Sequence, residues 1–229
     1  CNNKFIAISN DAKQYFEKTL PKKLSQNIFL LNNAIDFKRF NSVNKPRPFD
    51  KIRLINVGSF VPKKNQQFLV EVVKELVENK MDVKLQLLGD GPLLNEIKRK
   101  INNYGLQDLI DCPGNVEHVE EYLAEANIYV HSAIYEPFGL VLLEAMASGI
   151  PVISLDGKGN RDIIRNAENG FIFQQPKPEL FAKKIIELYT NRTQYNKIAV
   201  AAISSATNYD IYEYVKKLML LYQTSETLK

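Results

Sequence analysis

The 229-residue chain has only two histidines, two cysteines and no Asp-x-Asp, so it is poor in the groups that build metal centres and disulfide frameworks. Cys1 and Cys112 are too few for a cross-linked scaffold, which makes a reducing cytoplasm the expected compartment. His118 and His131, with no cysteine at ligand spacing, argue against a transition-metal site. No apolar run approaches the ~20 residues that a membrane-spanning helix needs. The G-x-x-x-x-G-K-[ST] loop of P-loop proteins is missing, and nothing resembles a helix-turn-helix, zinc finger or RNP motif, which disfavours nucleic acid as a partner. The first residue is Cys rather than Met, which reads as a trimmed or partial chain in preference to a mature lipoprotein.

What is present is ordinary core material: 45% hydrophobic and 24% charged residues, enough for a sizeable soluble α/β domain. The net charge of +4 hides a division. Residues 1–64 carry 13 Lys/Arg against 4 Asp/Glu, whereas residues 65–229 carry 17 against 22. A basic first quarter suits an anionic small ligand or an anionic membrane surface, and equally a solvated basic face.

From residue 51 short β-type runs alternate with helical patterns. "IRLINVGSF" (52–60) is apolar and ends at Gly-Ser. In "NQQFLVEVVKELVENK" (65–80), Phe68, Val72 and Leu76 form one stripe with Leu69, Val73 and Val77 beside it, the spacing of an amphipathic helix on a sheet. Strands follow at 83–92, within "DLIDCPGNV", at 127–134, at 150–156 and at 170–173, with helices between most of them. Such spacing needs crossover connections, and these imply a doubly wound, mainly parallel sheet. Before residue 51 the chain reads as one strand and one helix, then an irregular linker. There the apolar run Ile28–Leu31 is expected to be the main domain's first strand. The tail from Pro176 reads as at least three helices, the last from about Ile211 to Tyr222.

Ligands of open parallel sheets bind outside the carboxyl ends of the strands, so the strand-to-helix turns hold the candidates. In "NVGSFVPKKNQ", Gly58 and Ser59 close a strand, and Lys63, Lys64 and Asn65 are expected to open a helix. Its free N–H groups and about half a positive charge would join Lys64 in clamping a diphosphate. "LLGDGP" is a glycine-rich turn of no particular assignment. "GNV" at 114–116 could border a flat heterocycle. His118 reads as a surface residue and His131 as a structural one. The stretch "YEPFGLVLLEAMASGIPVI" sets Glu136 ahead of a helix from about Gly139 to Ser148 and Glu144 inside it. Ionised carboxylates only accept hydrogen bonds, so they suit sugar and ribose hydroxyls, while the N–H groups of Phe138, Gly139 and Leu140 suit phosphate. The plainer alternative is two acids on an exposed helix edge.

"EPFGLVLLEAMASGIPVI" resembles the E-x7-E motif of retaining nucleotide-sugar glycosyltransferases of GT-B architecture, family 4 (group 1). In order around it, "INVGSFVPKKNQQFLVEV", "LQLLGDGPLLNEI", "IDCPGNVEHVEEYLAEANIYVHSA" and "VISLDGKGNRDIIRNAENGFIF" resemble the other blocks of that family's donor domain, a likeness spanning residues 28 to 222. The resemblance implies the C-terminal half of a two-domain enzyme. Residues 1–24 would be a remnant of the acceptor domain, 25–205 the nucleotide-sugar-binding domain, and 206–229 a helix crossing back toward the N-terminal domain. It implies Glu136 and Lys64 as catalytic residues, Glu144 on the ribose, Phe138, Gly139, Leu140 and Val141 as main-chain donors, and Asn115 and Val116 beside the base. Gly58, Ser59 and Lys63 complete the site. Ser59 stands where many relatives carry Arg, and Lys63 is the candidate to compensate.

The implied partners are a UDP- or GDP-sugar and a glycan or lipid-linked acceptor, with no metal or other cofactor. The implied setting is surface or capsular polysaccharide synthesis in a bacterium, in the cytoplasm or peripherally on the inner face of the membrane. A fragment of this kind is expected to be inactive or weakly hydrolytic alone. A nucleotide-sugar-binding module without turnover and a GT-B sugar-nucleotide epimerase are the alternatives.

Overall fold

A computed structural model of the chain describes residues 4–42 and 47–226, and the expectations that rest on Cys1 lie outside the described residues. The chain opens with a small βαβ unit. Strand β1 (Phe5–Ala7) leads into helix α1 (Asn10–Thr19), capped by the Ser9 hydroxyl on the Ala12 N–H. A single turn, α2 (Lys22–Ser25), precedes β2 (Ile28–Leu30), which pairs in parallel with β1 as a separate two-stranded sheet. Ile28–Leu31 is therefore not the first strand of the main sheet. An apolar triad announces a strand but not its partner, and β1 supplied the nearer edge. The short helix α3 (Phe37–Asn41) then leads to the main domain.

There the expected alternation holds: β3 (Ile52–Val57), α4 (Gln66–Glu78), β4 (Val83–Leu88), α5 (Leu94–Asn103), β5 (Ile110–Gly114), α6 (Val119–Glu125), β6 (Ile128–His131), α7 (Leu140–Ala147), β7 (Val152–Leu155) and β8 (Phe171–Phe173). Three helices close the chain, α8 (Pro178–Thr190), α9 (Arg192–Ala206) and α10 (Ile211–Glu226). None of the described helices is long and apolar enough to cross a membrane.

The six main strands are all parallel, in the order β5-β4-β3-β6-β7-β8. Each face is covered. Ile52, Leu54, Val83, Leu85, Ile128, Val130 and Ile153 point into one core with α4, α5 and α8. Ile55, Leu88, Tyr129 and Val152 point into the other with α6, α7 and α9. A sheet buried on both faces needs apolar residues at odd and even positions alike, which is why its strands read as near-continuous apolar runs.

This strand order reverses between β3 and β6. The first crossovers from β3 run outward through β4 to β5, and the later ones run the opposite way through β7 to β8. A crevice opens at such a reversal, outside the carboxyl ends of the two central strands.

Candidate functional site at the centre of the sheet

Two loops meet at that crevice. After β3, Gly58 lies in van der Waals reach of the Lys64 side chain, and Pro62–Lys64 form a 3-10 turn. Here the structure departs from the sequence reading: Asn65 adopts φ 50°, ψ 41°, so α4 begins only at Gln66 and Lys64 stands before it. The turn is tied to the exit of β6. The Ser132 hydroxyl donates to the Lys64 carbonyl at 2.7 Å, and the Ile134 N–H to the Lys63 carbonyl at 2.9 Å. Lys64 Nζ thereby reaches Glu136 Oε2 at 2.5 Å, with both side chains largely buried. Lys63 and Ser59 are exposed on the same rim.

Glu136 is held from behind. Its N–H donates to the Gly157 carbonyl at 2.8 Å, and its carbonyl accepts from the Gly159 N–H at 3.0 Å. A Cβ on Gly159 would come within 2.0 Å of the Pro137 carbonyl oxygen, so no side chain fits there. Between the two glycines Lys158 takes φ 72°, ψ −66°, closed by a Gly159 N–H to Gly157 carbonyl bond of 3.1 Å. This is the strained, positive-φ γ-turn, costing roughly 1–3 kcal/mol in a residue with a side chain. Asn160, fully buried, braces the loop. Its amide donates to the Ser154 hydroxyl and the Leu155 carbonyl, both at 2.8 Å, and its oxygen accepts from the Gly157 N–H.

Gly139 turns the chain into α7 at φ 103°, and a Cβ there would meet Leu142 at 2.7 Å. The start of α7 then faces the crevice. An open cleft of about 260 Å³ is lined by Lys64, Glu136, Phe138, Gly139, Leu140 and Val141, with Ile8 and Asn33 on its outer wall. At the other end of α7, Asn41 donates to the Ala147 carbonyl and the Arg47 guanidinium to that of Ser148. The helix dipole thus has its positive end at the cleft, and the Arg47 cation offsets its negative end.

Glu144 is one turn and more into α7, half-buried, and lines a different edge. Arg39 on α3 pairs with Glu120 in the first turn of α6 at 2.8 Å, and both charges act on Glu144. Asn115 is exposed and Val116 half-buried in the loop after β5. Val116, Val119 and Val141 all pack on the core on the α7 side of the sheet, which places that loop and helix on one side.

The two acids carry opposite proton affinities. Burial alone would raise the Glu136 carboxyl, but His131 and Lys64 outweigh it and hold the group at about 2. Glu144 is pushed up to about 7 by burial, which Arg39 opposes and Glu120 reinforces. Of the two acids expected as acceptors, Glu136 is held ionised by the groups against it, whereas Glu144 keeps its proton to about 7 because burial outweighs Arg39. Burial also holds the His131 imidazole below its ordinary value, so the ring is neutral beside Glu136.

Of the residues the sequence marks as candidates, Lys64, Glu136 and 138–141 line one cleft, whereas Asn115, Val116 and Glu144 lie outside its lining. Arg39 and Glu120 carry no sequence signal, whereas the Gly157–Asn160 brace is marked by a Gly-x-Gly after a strand. His131, inside an apolar strand run, reads from the sequence as structural.

The family model described as glycosyl transferases group 1 matches residues 37–205, and the chain belongs to this family. It is similar to the amylovoran biosynthesis glycosyltransferase AmsD of Erwinia amylovora, with 25% identity over 213 residues covering 90% of this chain and 58% of the relative. A UDP-Gal:alpha-D-GlcNAc-diphosphoundecaprenol alpha-1,3-galactosyltransferase of Escherichia coli is 25% identical over 203 residues, covering 82% of this chain and 51% of its own length. Among solved structures, Anabaena HepE in complex with UDP-glucose superposes with a TM-score of 0.85 at 19% identity, over 96% of this chain and 63% of that one. The chain therefore spans between half and two thirds of the length of these proteins. Its fold is that of the GT-B glycosyltransferases.

Proposed function

We propose that this chain is the donor-binding half of a retaining glycosyltransferase of family 4, acting on a UDP-sugar and a glycan or lipid-linked acceptor. The observation that carries the reading is the Lys64–Glu136 contact across the point where strand order reverses, beside the open start of α7. Cleaving a sugar–diphosphate bond leaves negative charge on the diphosphate, and fixed N–H groups and a lysine aimed there stabilise it without reorganisation. In this reading the start of α7 and Lys64 take the diphosphate and no metal is needed. Glu136, ionised at any working pH, accepts hydrogen bonds from the donor sugar. Glu144 takes a ribose hydroxyl, and the Asn115–Val116 loop borders the base. Retention follows from attack on the face the diphosphate leaves, with the phosphate accepting the acceptor's proton and Glu136 orienting the sugar. The UDP named with the solved GT-B structure supports uracil over guanine. The likeness to a biosynthetic glycosyltransferase of Erwinia amylovora supports a bacterial setting, which we take to be surface or capsular polysaccharide synthesis in the cytoplasm or peripherally on the inner face of the membrane.

Calorimetric titration of the chain with UDP and with UDP-glucose tests these roles. At pH 8, above the value of about 7 at Glu144, both carboxylates are ionised and each lost charged hydrogen bond is worth about 1.5–3 kcal/mol, or roughly 10- to 100-fold in affinity. Glu144→Ala is expected to weaken UDP itself by that amount, and Glu136→Ala chiefly the intact donor. Equal losses for both ligands in both variants would contradict the assignment. Hydrolysis of UDP-glucose with retained anomeric configuration distinguishes a transferase half from a module that only binds.

A further inference from the structure

His131 ends β6 fully buried, with neither ring nitrogen in a hydrogen bond. The ring stacks on Tyr129 of the same strand, centroids 6.1 Å apart and planes 24° from parallel, which fixes its orientation. Its Nε2 lies 3.4 Å from Glu136 Oε2, and Lys64 Nζ approaches that same oxygen at 2.5 Å. Two protein groups thus converge on one carboxylate oxygen. No described residue donates to Glu136 Oε1. A buried imidazole kept just outside bonding distance of a carboxylate is costly, and an apolar residue would fill a strand end more cheaply.

We propose that His131 is a positioning residue for Glu136, its Nε2–H taking over Oε2 as Lys64 turns toward the diphosphate of a bound nucleotide sugar. The proposal rests on the donor-binding reading above. Lys64 cannot give its full charge to Glu136 and to a diphosphate at once, and the carboxylate left behind is still buried. A shortening of about half an ångström brings Nε2 within N–H···O range. The charged and titratable groups around the ring are Glu136 and Lys64 from the two loops and Tyr129 from its own strand. Because the ring is neutral, it holds the carboxylate without setting a second cation beside a sugar that gains positive character. Oε1 then remains directed to the sugar hydroxyl.

Nitrogen-15 shifts of His131 in the 229-residue chain test the geometry without any ligand: the Nε2–H tautomer is expected, and the Nδ1–H tautomer overturns the proposal. Carbon-13 titration of the Glu136 carboxyl should move upward in His131→Leu and return in His131→Gln, which restores an N–H at that reach. An unmoved carboxyl in a folded Leu variant overturns it. Calorimetry with both ligands completes the test. His131→Leu is expected to lose about 10-fold for UDP-glucose and little for UDP, with recovery in His131→Gln. Equal loss for the two ligands, or no recovery, overturns the proposal. If Leu prevents folding, the tautomer and the Gln variant's carboxyl titration still decide. If the wild-type chain binds neither ligand, the donor-binding reading has failed, and the tautomer and carboxyl titration judge His131 by themselves.

Discussion

At Glu144 no described side chain donates to a carboxyl that α7 has drawn into its buried face, and the group keeps its proton to about 7. The consequence for stability has a definite sign. Between the ordinary value of 4.5 and about 7 the folded chain binds more proton at this site than the unfolded chain. Stability therefore falls as pH rises through that window, by up to about 3 kcal/mol. Replacing Glu144 with Gln removes the dependence. Urea unfolding is expected to give equal stabilities for the two proteins near pH 4.5 and a Gln variant more stable by about 2–3 kcal/mol at pH 8. An advantage of the same size at both pH values would show that packing, not titration, is responsible. Glu136 behaves in the opposite way. Its contribution is present above the ordinary value of 4.5 and is lost as pH falls toward about 2.

At the scale of elements, the loop from β7 decides where Glu136 sits, and Asn160 decides the loop. Removing its side chain leaves the Gly157 N–H without its partner and takes from the Leu155 carbonyl one of two donors, the other being the Ser154 hydroxyl. Asn160→Ala is expected to cost about 2–4 kcal/mol in thermal or urea unfolding. The same variant should weaken UDP-glucose more than UDP, because the displaced residue is Glu136. A variant as stable as the wild type would remove the brace from the account.

These elements were not equally legible. The six strands and their crossover helices could be read because burial on both faces leaves continuous apolar runs, and amphipathic stripes mark the helices between. The turn into α7 could be read from Pro137 and Gly139. The pairing of β2 could not, since three apolar residues carry no address. Lys158 gave no sign of its backbone either, because a lysine at positive φ is forced by Gly157 and Gly159 packing against Glu136 and Pro137, and not by its own preference. His131 was hidden for a related reason: a strand end among apolar residues looks like core until the loop that faces it is known.

At the scale of the molecule, the N-terminal βαβ unit is tied to the main domain by few groups. Asp162 caps α1 by accepting from the Asn10 N–H at 2.6 Å and its amide at 3.1 Å, and the Tyr209 hydroxyl donates to the Asp162 carbonyl. Ile35 exchanges backbone hydrogen bonds with Tyr209 and Ile211, and Lys4 reaches the Leu221 carbonyl at 3.1 Å, so α10 runs back past the first strand. The pairing of β1 with β2 crosses the boundary expected at residues 24 and 25. Asp162→Ala removes a helix cap worth about 1 kcal/mol. Hydrogen exchange in α1 is expected to quicken by roughly 5-fold while β3, β4 and β6 keep their protection. Uniform acceleration through the main sheet would show instead that Asp162 supports the whole domain.

The parallel sheet has a further consequence for descent. Because all six strands end on one rim, the loop after β5, with Asn115 exposed on it, hangs from the same scaffold as the loops after β3 and β6 that join Lys64 to Glu136. A lineage can rewrite the segment around Asn115 while leaving Lys64 opposite Glu136. An exposed loop and the sheet that carries it are thus free to drift at different rates within one small protein.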